Sequence, residues 1–248
     1  MLAKTYENAA EKPTALYITS PDYLGNTADI SALAEYCHAH DMLLLVDNAH
    51  GAYLHFLPEP LHPIGLGADL CCDSAHKTLP VLTGGAYLHI GTHASSLFAE
   101  NVKAAMSLFA STSPSYLILQ SLDLCNAQLV SDYPVRLRET LLAVTRCKHA
   151  LAPHGYRFCG DEPMKLTIRA KAYGYTGTDL ADMLLRRGVV CEFADEDFLV
   201  LMPSTCTAET DLQAMTDALC SVPQKNAIIS MPPKLPVPEI VCSPRQAM

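Results

Sequence analysis

Residues 15–19, Ala-Leu-Tyr-Ile-Thr, form a short β-prone run closed by Ser20, Pro21 and Gly25, the punctuation of a turn. Beyond the turn, Ile30, Leu33, Ala34 and Cys37 recur at i, i+3, i+4 and i+7, which predicts a helix over 29–40 with one apolar stripe. Residues 42–46, Met-Leu-Leu-Leu-Val, show no polar alternation, the pattern of a strand covered on both faces of a parallel sheet. Strand, helix and strand make a βαβ unit, right-handed by default.

Two more strands are predicted at 68–72 and 86–90, followed by helical sequence over 95–152 broken near Pro114 and Pro134. The pattern then changes. Residues 165–170 read as a strand, and Thr178 as the cap of a helix carrying Leu180, Met183 and Leu184 that Gly188 ends. Residues 189–193 and 198–202 read as strands, and Thr207 opens a last helix with Leu212, Met215 and Leu219 on one side. The expected fold class is therefore α/β: a large, mainly parallel domain over 1–150, a small α+β domain over 151–222, and a proline-rich extended tail over 223–248.

Composition narrows the function. Of 248 residues half are apolar, and 17 basic against 26 acidic side chains leave a net charge of −9. That balance disfavours a nucleic-acid surface and charge-driven binding to anionic membranes. The ten cysteines are scattered from Cys37 to Cys242 with no C-x-x-C pair, and no signal-like segment opens the chain, so reduced thiols and a cytoplasmic location are expected. The longest aliphatic runs are strand-length, far short of a membrane span.

In an open parallel sheet, ligands sit beyond the carboxyl ends of the strands, so polar residues there are the first candidates for chemistry. Asp47 follows one predicted strand and Ser74-Ala75-His76-Lys77 another. Taken singly, an Asp there is a turn or capping residue, and a Lys is a solvated charge. Together, Asp47-Asn48-Ala49-His50-Gly51 and Ser74-Ala75-His76-Lys77, with acid and amine thirty residues apart, resemble the pyridoxal-phosphate site of fold type I enzymes. More narrowly, the chain resembles the Orn/Lys/Arg decarboxylase family. The likeness rests on Thr19-Ser20-Pro21, residues 47–51, Gly67-Ala68-Asp69, residues 74–80, residues 111–116 and Lys165-Leu166-Thr167-Ile168.

The resemblance implies a fold type I large domain and decarboxylation of lysine, ornithine or arginine to the amine. It makes Lys77 the Schiff-base lysine and Asp47 the partner of the pyridine nitrogen, whose protonated form a nearby carboxylate favours. It puts Ala49 against the ring face, His50 beside the ring hydroxyl and Ser74 on the phosphate. His76 is implied near the phosphate or in proton handling, and Ser20 and Thr19 in the cavity wall. Thr112 and Ser113 are implied to reach a neighbouring subunit's cofactor, which requires a homodimer with a shared site. The partners expected are thus an amino-acid substrate and a second copy.

Two departures accompany it: Asn48 stands where an acidic residue is common, and Leu24 where a second aromatic is often found. Family members are also longer, and the stretch preceding this chain normally supplies a phosphate-binding turn and a stacking ring. The chain is therefore expected to be a fragment, a truncated product or one piece of a split enzyme. A catalytically silent binding or assembly module, and a pyridoxal-phosphate enzyme of aminotransferase or aldolase type, are the competing readings.

Other chemistries lack their motifs. Gly65-Leu66-Gly67 is not a dinucleotide fingerprint, and no P-loop or G-x-S-x-G elbow occurs. His38 with His40, and His50 with His55, miss the i, i+4 spacing that aims two imidazoles at one ion, so no metal is expected. Cys71 and Cys72 read as small buried hydrophobes on opposite faces of a strand.

Overall fold

The computed structural model describes residues 2–109, 113–231, 234–236, 241–242 and 244–247. After a short helix α1 (Leu2–Asn8), β1 (Ala15–Thr19) leads through a turn into α2 (Ile30–His38) and β2 (Leu43–Asp47). Asp29 is the residue before α2, and its carboxylate accepts the Ala32 amide hydrogen at 3.0 Å, satisfying one of the free amides of the first turn. Ile30, Ala34 and Cys37 are buried against Leu44 and Val46 of β2, as the stripe predicts. At roughly 1.5–3 kcal/mol for a fully buried large aliphatic side chain, this face fixes the helix on the sheet.

β3 (Leu70–Asp73) pairs parallel with β2, then α3 (Ala75–Thr78) and β4 (Tyr87–Ile90) follow. The sheet order is β1-β2-β3-β4, and β4 runs antiparallel to β3. A mainly parallel sheet is thus observed with a reversed edge, because the short connection from α3 returns the chain beside β3 without room for a crossover. β2 is also less enclosed than its sequence suggests: Leu44 and Val46 are buried while Leu43, Leu45 and Asp47 are only half-buried.

Three longer helices follow: α4 (Ser96–Phe109), α5 (Tyr116–Leu129) and α6 (Tyr133–Leu151). The helical sequence is interrupted near Pro134 as expected, between α5 and α6, and Pro134 itself sits in the first turn of α6, where a missing amide hydrogen costs no helical bond. Tyr133 and Leu137 pack with Tyr53, Leu79 and Met164, while Val144, Cys147 and Leu151 belong to a second core, so α6 spans both.

The second core lies under an antiparallel sheet ordered β5-β6-β8-β7, with β5 (Phe158–Cys159), β6 (Leu166–Arg169), β7 (Phe193–Ala194) and β8 (Phe198–Leu201). The helices α7 (Ala170–Tyr173), α8 (Gly177–Leu185) and α9 (Glu209–Cys220) accompany it. Leu212, Met215 and Leu219 of α9 are buried there. The cap of α8 is Thr176, not Thr178: its hydroxyl accepts the Asp179 amide hydrogen at 3.1 Å, and Thr178 lies inside the helix. The strand expected over 189–193 shrinks to β7 because the turn closing α8 uses that backbone. Val189 donates to the Leu184 carbonyl at 3.0 Å, and Gly188 takes the left-handed conformation.

The beginning of the tail is tied to this unit. Tyr173 and Tyr175 donate their hydroxyls to the carbonyls of Val222 and Pro223 at 2.8 Å each, and the Lys225 and Ile228 amides donate to those of Tyr173 and Lys171. A short helix α10 (Pro244–Ala247) lies farther on. Among the described residues no helix is long and apolar enough to cross a membrane.

Candidate active site

Because β1, β2 and β3 are parallel, their carboxyl ends lie side by side, strand to strand about 4.8 Å. Register places Thr19 beside Asp47 and Asp47 beside Cys72, so these three share one face. Asp47 is the last residue of β2. Its Oδ1 accepts the Ala49 amide hydrogen at 3.1 Å, and its Oδ2 accepts the Tyr17 hydroxyl at 3.3 Å, which holds the carboxylate at the sheet's end. Cys72 on the same face is exposed, against the expectation of a buried hydrophobe, whereas Cys71 on the opposite face is buried.

Ser74 caps α3 with its backbone only, leaving its hydroxyl uncommitted to the helix. One turn later the half-buried Lys77 donates from Nζ to His50 Nε2 at 3.1 Å. His50 therefore accepts at Nε2 and carries its proton on Nδ1, and that buried Nδ1 has no hydrogen-bond partner among the described residues. Burial first, then the positive charges of Lys165 and Lys77, push His50 down to about 4, against the opposing pull of Asp22. The imidazole is neutral at pH 7.

His76 is held by a different contact. Its Nδ1 lies 2.9 Å from the Gly85 carbonyl, which can only accept, so Nδ1 carries a proton and Nε2 is the nitrogen left for other partners. Ser20 is buried, and its hydroxyl accepts the Ala28 amide hydrogen at 3.0 Å, holding the turn after β1. Ser113 is exposed in the connection between α4 and α5, and Thr112 lies outside the described residues.

Three contributors, Tyr23, Lys165 and Tyr17, were given no role in the site from sequence. Tyr23 sets its ring edge-on to His50, centroids 4.9 Å apart, and edge-on to Phe193 at 5.2 Å, while its hydroxyl donates to Glu192 at 2.8 Å. The buried Lys165 donates from Nζ to the carbonyls of Asp22 and Tyr23 at 3.2 and 3.3 Å. Burial lowers its ammonium pKa, against the pull of Glu162, Asp22 and Glu192. Both groups reach the site because the turn after β1 is clamped to the loop before β6: the Asp161 and Glu162 amides donate to the Gly25 carbonyl at 2.9 Å each, and Asp161 accepts from Thr27. Gly160 takes φ +80° here, and a Cβ on it would meet the Leu24 carbonyl oxygen at 2.5 Å. Tyr17 is the contributor a sequence signal reaches, since two residues before Thr19 on a strand it shares that residue's face.

An α/β sheet with an amine and a carboxylate at neighbouring strand ends defines the general class, and comparison with known proteins gives the family. The family model described as "Orn/Lys/Arg decarboxylase, major domain" matches residues 2–153, and the chain belongs to that family. It is 36% identical over 201 residues to the Bacillus subtilis protein named "Uncharacterized protein YaaO", covering 75% of this chain and 41% of that one. It is 29% identical over 231 residues to the arginine decarboxylase of the same organism, covering 87% and 47%. The chain thus spans less than half the length of these relatives. Among solved structures it shares the fold of the Escherichia coli constitutive lysine decarboxylase, with TM-score 0.64, 20% identity, 84% of this chain and 36% of that one. A Francisella novicida lysine decarboxylase gives TM-score 0.69, 18% identity, 87% and 37%.

Proposed function

We propose that this chain carries the amine and carboxylate of a pyridoxal-phosphate site for decarboxylating lysine, ornithine or arginine, in a cytoplasmic homodimer. One observation carries the reading: the Lys77 amine is seated on a neutral imidazole beside the strand whose end presents Asp47. The residues suit such a group. His50 keeps a buried N–H in want of an acceptor, Ser74 an uncommitted hydroxyl, and Ala49 a side chain small enough for a flat ring to approach.

When bound, pyridoxal phosphate supplies an aldehyde that condenses with amines and a ring that takes up the electron pair left as carbon dioxide departs. The protein's part is positional and electrostatic. Lys77 offers the amine that anchors the cofactor and is exchanged for the substrate's own. Asp47, oriented by the Ala49 amide and the Tyr17 hydroxyl, keeps a proton on the ring nitrogen by its negative charge. His76, its Nδ1 fixed on Gly85, has Nε2 available to receive or return a proton at the α-carbon. Tyr23 covers His50 from the solvent side, and Glu192 brings a carboxylate to the rim, suited to a cationic side chain. Ser20 serves by holding the turn that carries Tyr23, and Thr112 and Ser113 by meeting a phosphate in the second subunit.

The test is optical, then chemical. The purified protein mixed with pyridoxal phosphate is expected to show a visible absorption band that Lys77→Ala abolishes, and to release carbon dioxide from at least one of the three amino acids. An unchanged spectrum in the variant defeats the lysine assignment. A loaded protein that forms keto acids or cleavage products instead of carbon dioxide defeats the decarboxylase reading and leaves the cofactor in place.

A further inference from the structure

The opposite face of the large sheet holds a second ionisable cluster that the proposed site does not use. Cys71 pairs with His89 and Asp73 with Tyr87 across the β3–β4 ladder, so all four point away from the Asp47 face. His62, at the start of a helical turn over Pro63–Leu66, is folded down onto them. His62, Cys71 and Asp73 are all buried. His62 Nε2 lies 3.0 and 3.3 Å from the two Asp73 oxygens, His89 Nε2 lies 2.9 Å from Oδ2, and Cys71 Sγ lies 3.5 Å from Oδ1 and 4.0 Å from His62 Nε2.

The geometry points to a divalent transition-metal site, best matched by zinc, with His62 Nε2, Asp73 Oδ1 and Cys71 Sγ as ligands and a fourth position open. The three donor atoms form a triangle with edges of 3.3, 3.5 and 4.0 Å. Tetrahedral zinc, with bonds of ~2.0–2.1 Å to nitrogen and oxygen and ~2.3 Å to sulfur, sets neighbouring donors ~3.3 Å apart, or ~3.6 Å where sulfur is involved. Each observed edge is within about 0.5 Å of that requirement. A mixed nitrogen, oxygen and sulfur set is also what borderline-soft zinc selects over magnesium or calcium.

Charge argues the same way. The Asp73 carboxylate is buried, a place where a negative charge is costly unless it is matched by positive charge. A dication with one carboxylate and one thiolate is neutral overall. On metal uptake the Cys71 thiol gives its proton to solvent and its sulfur lone pair to the metal. His62 receives the Ile64 amide hydrogen at Nδ1, 3.3 Å, so without metal its proton is on Nε2; uptake moves that proton to Nδ1 and opens this long contact. Asn48 Nδ2, donating to Asp73 Oδ1 at 2.7 Å, and His89 orient the carboxylate from outside. A cavity of about 330 Å³, lined on this side by His55, His62, Asp73 and His89, gives an access route and room for a fourth ligand.

Cobalt(II) is the probe, since it takes zinc's geometry and absorbs. The chelator-treated full chain is expected to bind one equivalent with the visible bands of a tetrahedral site and a near-ultraviolet thiolate charge-transfer band. Cys71→Ser, nearly isosteric and so expected to keep the fold, removes the charge-transfer band, and His62→Ala weakens binding at least about tenfold. His38→Ala changes neither. No saturable uptake by the unmodified chain overturns the proposal, as does a charge-transfer band that survives Cys71→Ser. Loss of binding in His38→Ala overturns it too, placing the metal on the more exposed group of His38, Asp69 and His93. Circular dichroism checks folding of each variant, and if His62→Ala is unfolded, Cys71→Ser alone decides.

Discussion

Acidification should unfold this protein partly through one imidazole. His50 is buried, its Nε2 is engaged by Lys77, and burial together with the Lys165 and Lys77 charges lowers its pKa from 6.5 to about 4. The unfolded chain protonates this residue near 6.5, whereas the folded protein resists until about 4, so between those values the unfolded state binds more protons. Stability contributed by neutral His50 is therefore full above about pH 7 and is lost as pH falls through that window. At 1.36 kcal/mol per unit, the drop of about 2.5 units corresponds to about 3 kcal/mol as an upper value. Urea unfolding of the unmodified chain and of His50→Gln at about pH 7, 6, 5 and 4.5 isolates the contribution, because other acid-sensitive groups cancel in the difference between the two proteins. The stability gap between them should narrow or invert on acidification by about 2–3 kcal/mol. Carbon-13 labelling at the histidine Cε1 supplies the direct reading. A His50 resonance titrating near 6.5, or stability curves that stay parallel, refutes the reasoning.

Glu162 is buried at the junction of the two sheets, accepting from the Tyr53 hydroxyl, from the Met164 amide at 3.0 Å and from the Lys165 amide at 2.8 Å. Glu162→Ala strands those donors and should cost about 3–5 kcal/mol by chemical denaturation, with Glu162→Gln milder; a loss below about 1 kcal/mol would show that the junction carries little of the stability. Thr176→Ala should cost about 1 kcal/mol through the lost cap of α8, while Thr178→Ala stays within about 0.5 kcal/mol, and the reverse ranking in thermal melts would reinstate Thr178 as the cap.

What was legible in the sequence divides along physical lines. The stripe of α2 and the apolar run of β2 act through burial periodicity, a local property, and both elements formed where expected. The direction of β4 is not local: an apolar strand reads alike in either sense, and only the short return from α3 settles it. The same holds at the site. Asp47, Ser74, His76 and Lys77 were visible because strand ends are marked by the switch from apolar to polar. Tyr23 and Lys165 are 142 residues apart in sequence and meet only because the 22–28 turn docks on the 160–165 loop. The His62, Cys71 and Asp73 cluster has no helical i, i+4 signature, since its donors come from a loop and from alternate positions of one strand.

Asn48 is the residue at which the two faces of the sheet meet. Its amide hydrogen donates to the Cys72 carbonyl at 2.9 Å beside Asp47, while its side-chain Nδ2 donates to Asp73 at 2.7 Å on the far face. The family resemblance sets an acid at this position, and here an acid would put a second carboxylate against Asp73 and take away a donor. Asn48→Asp should therefore cost several kcal/mol at about pH 7, of the order of 3–5 for a buried charge left uncompensated. Two carboxylates that close share a proton, so one folded-state pKa rises above its unfolded value, and part of the loss returns as pH falls toward 5. Asp73→Asn in the same chain should restore most of it, the coupling read from a double-mutant cycle by urea unfolding. If Asn48→Asp is nearly neutral, or Asp73→Asn gives nothing back, the two faces are not joined through this hydrogen bond, and the departure from the family at position 48 has no connection to the histidine-rich cluster behind it.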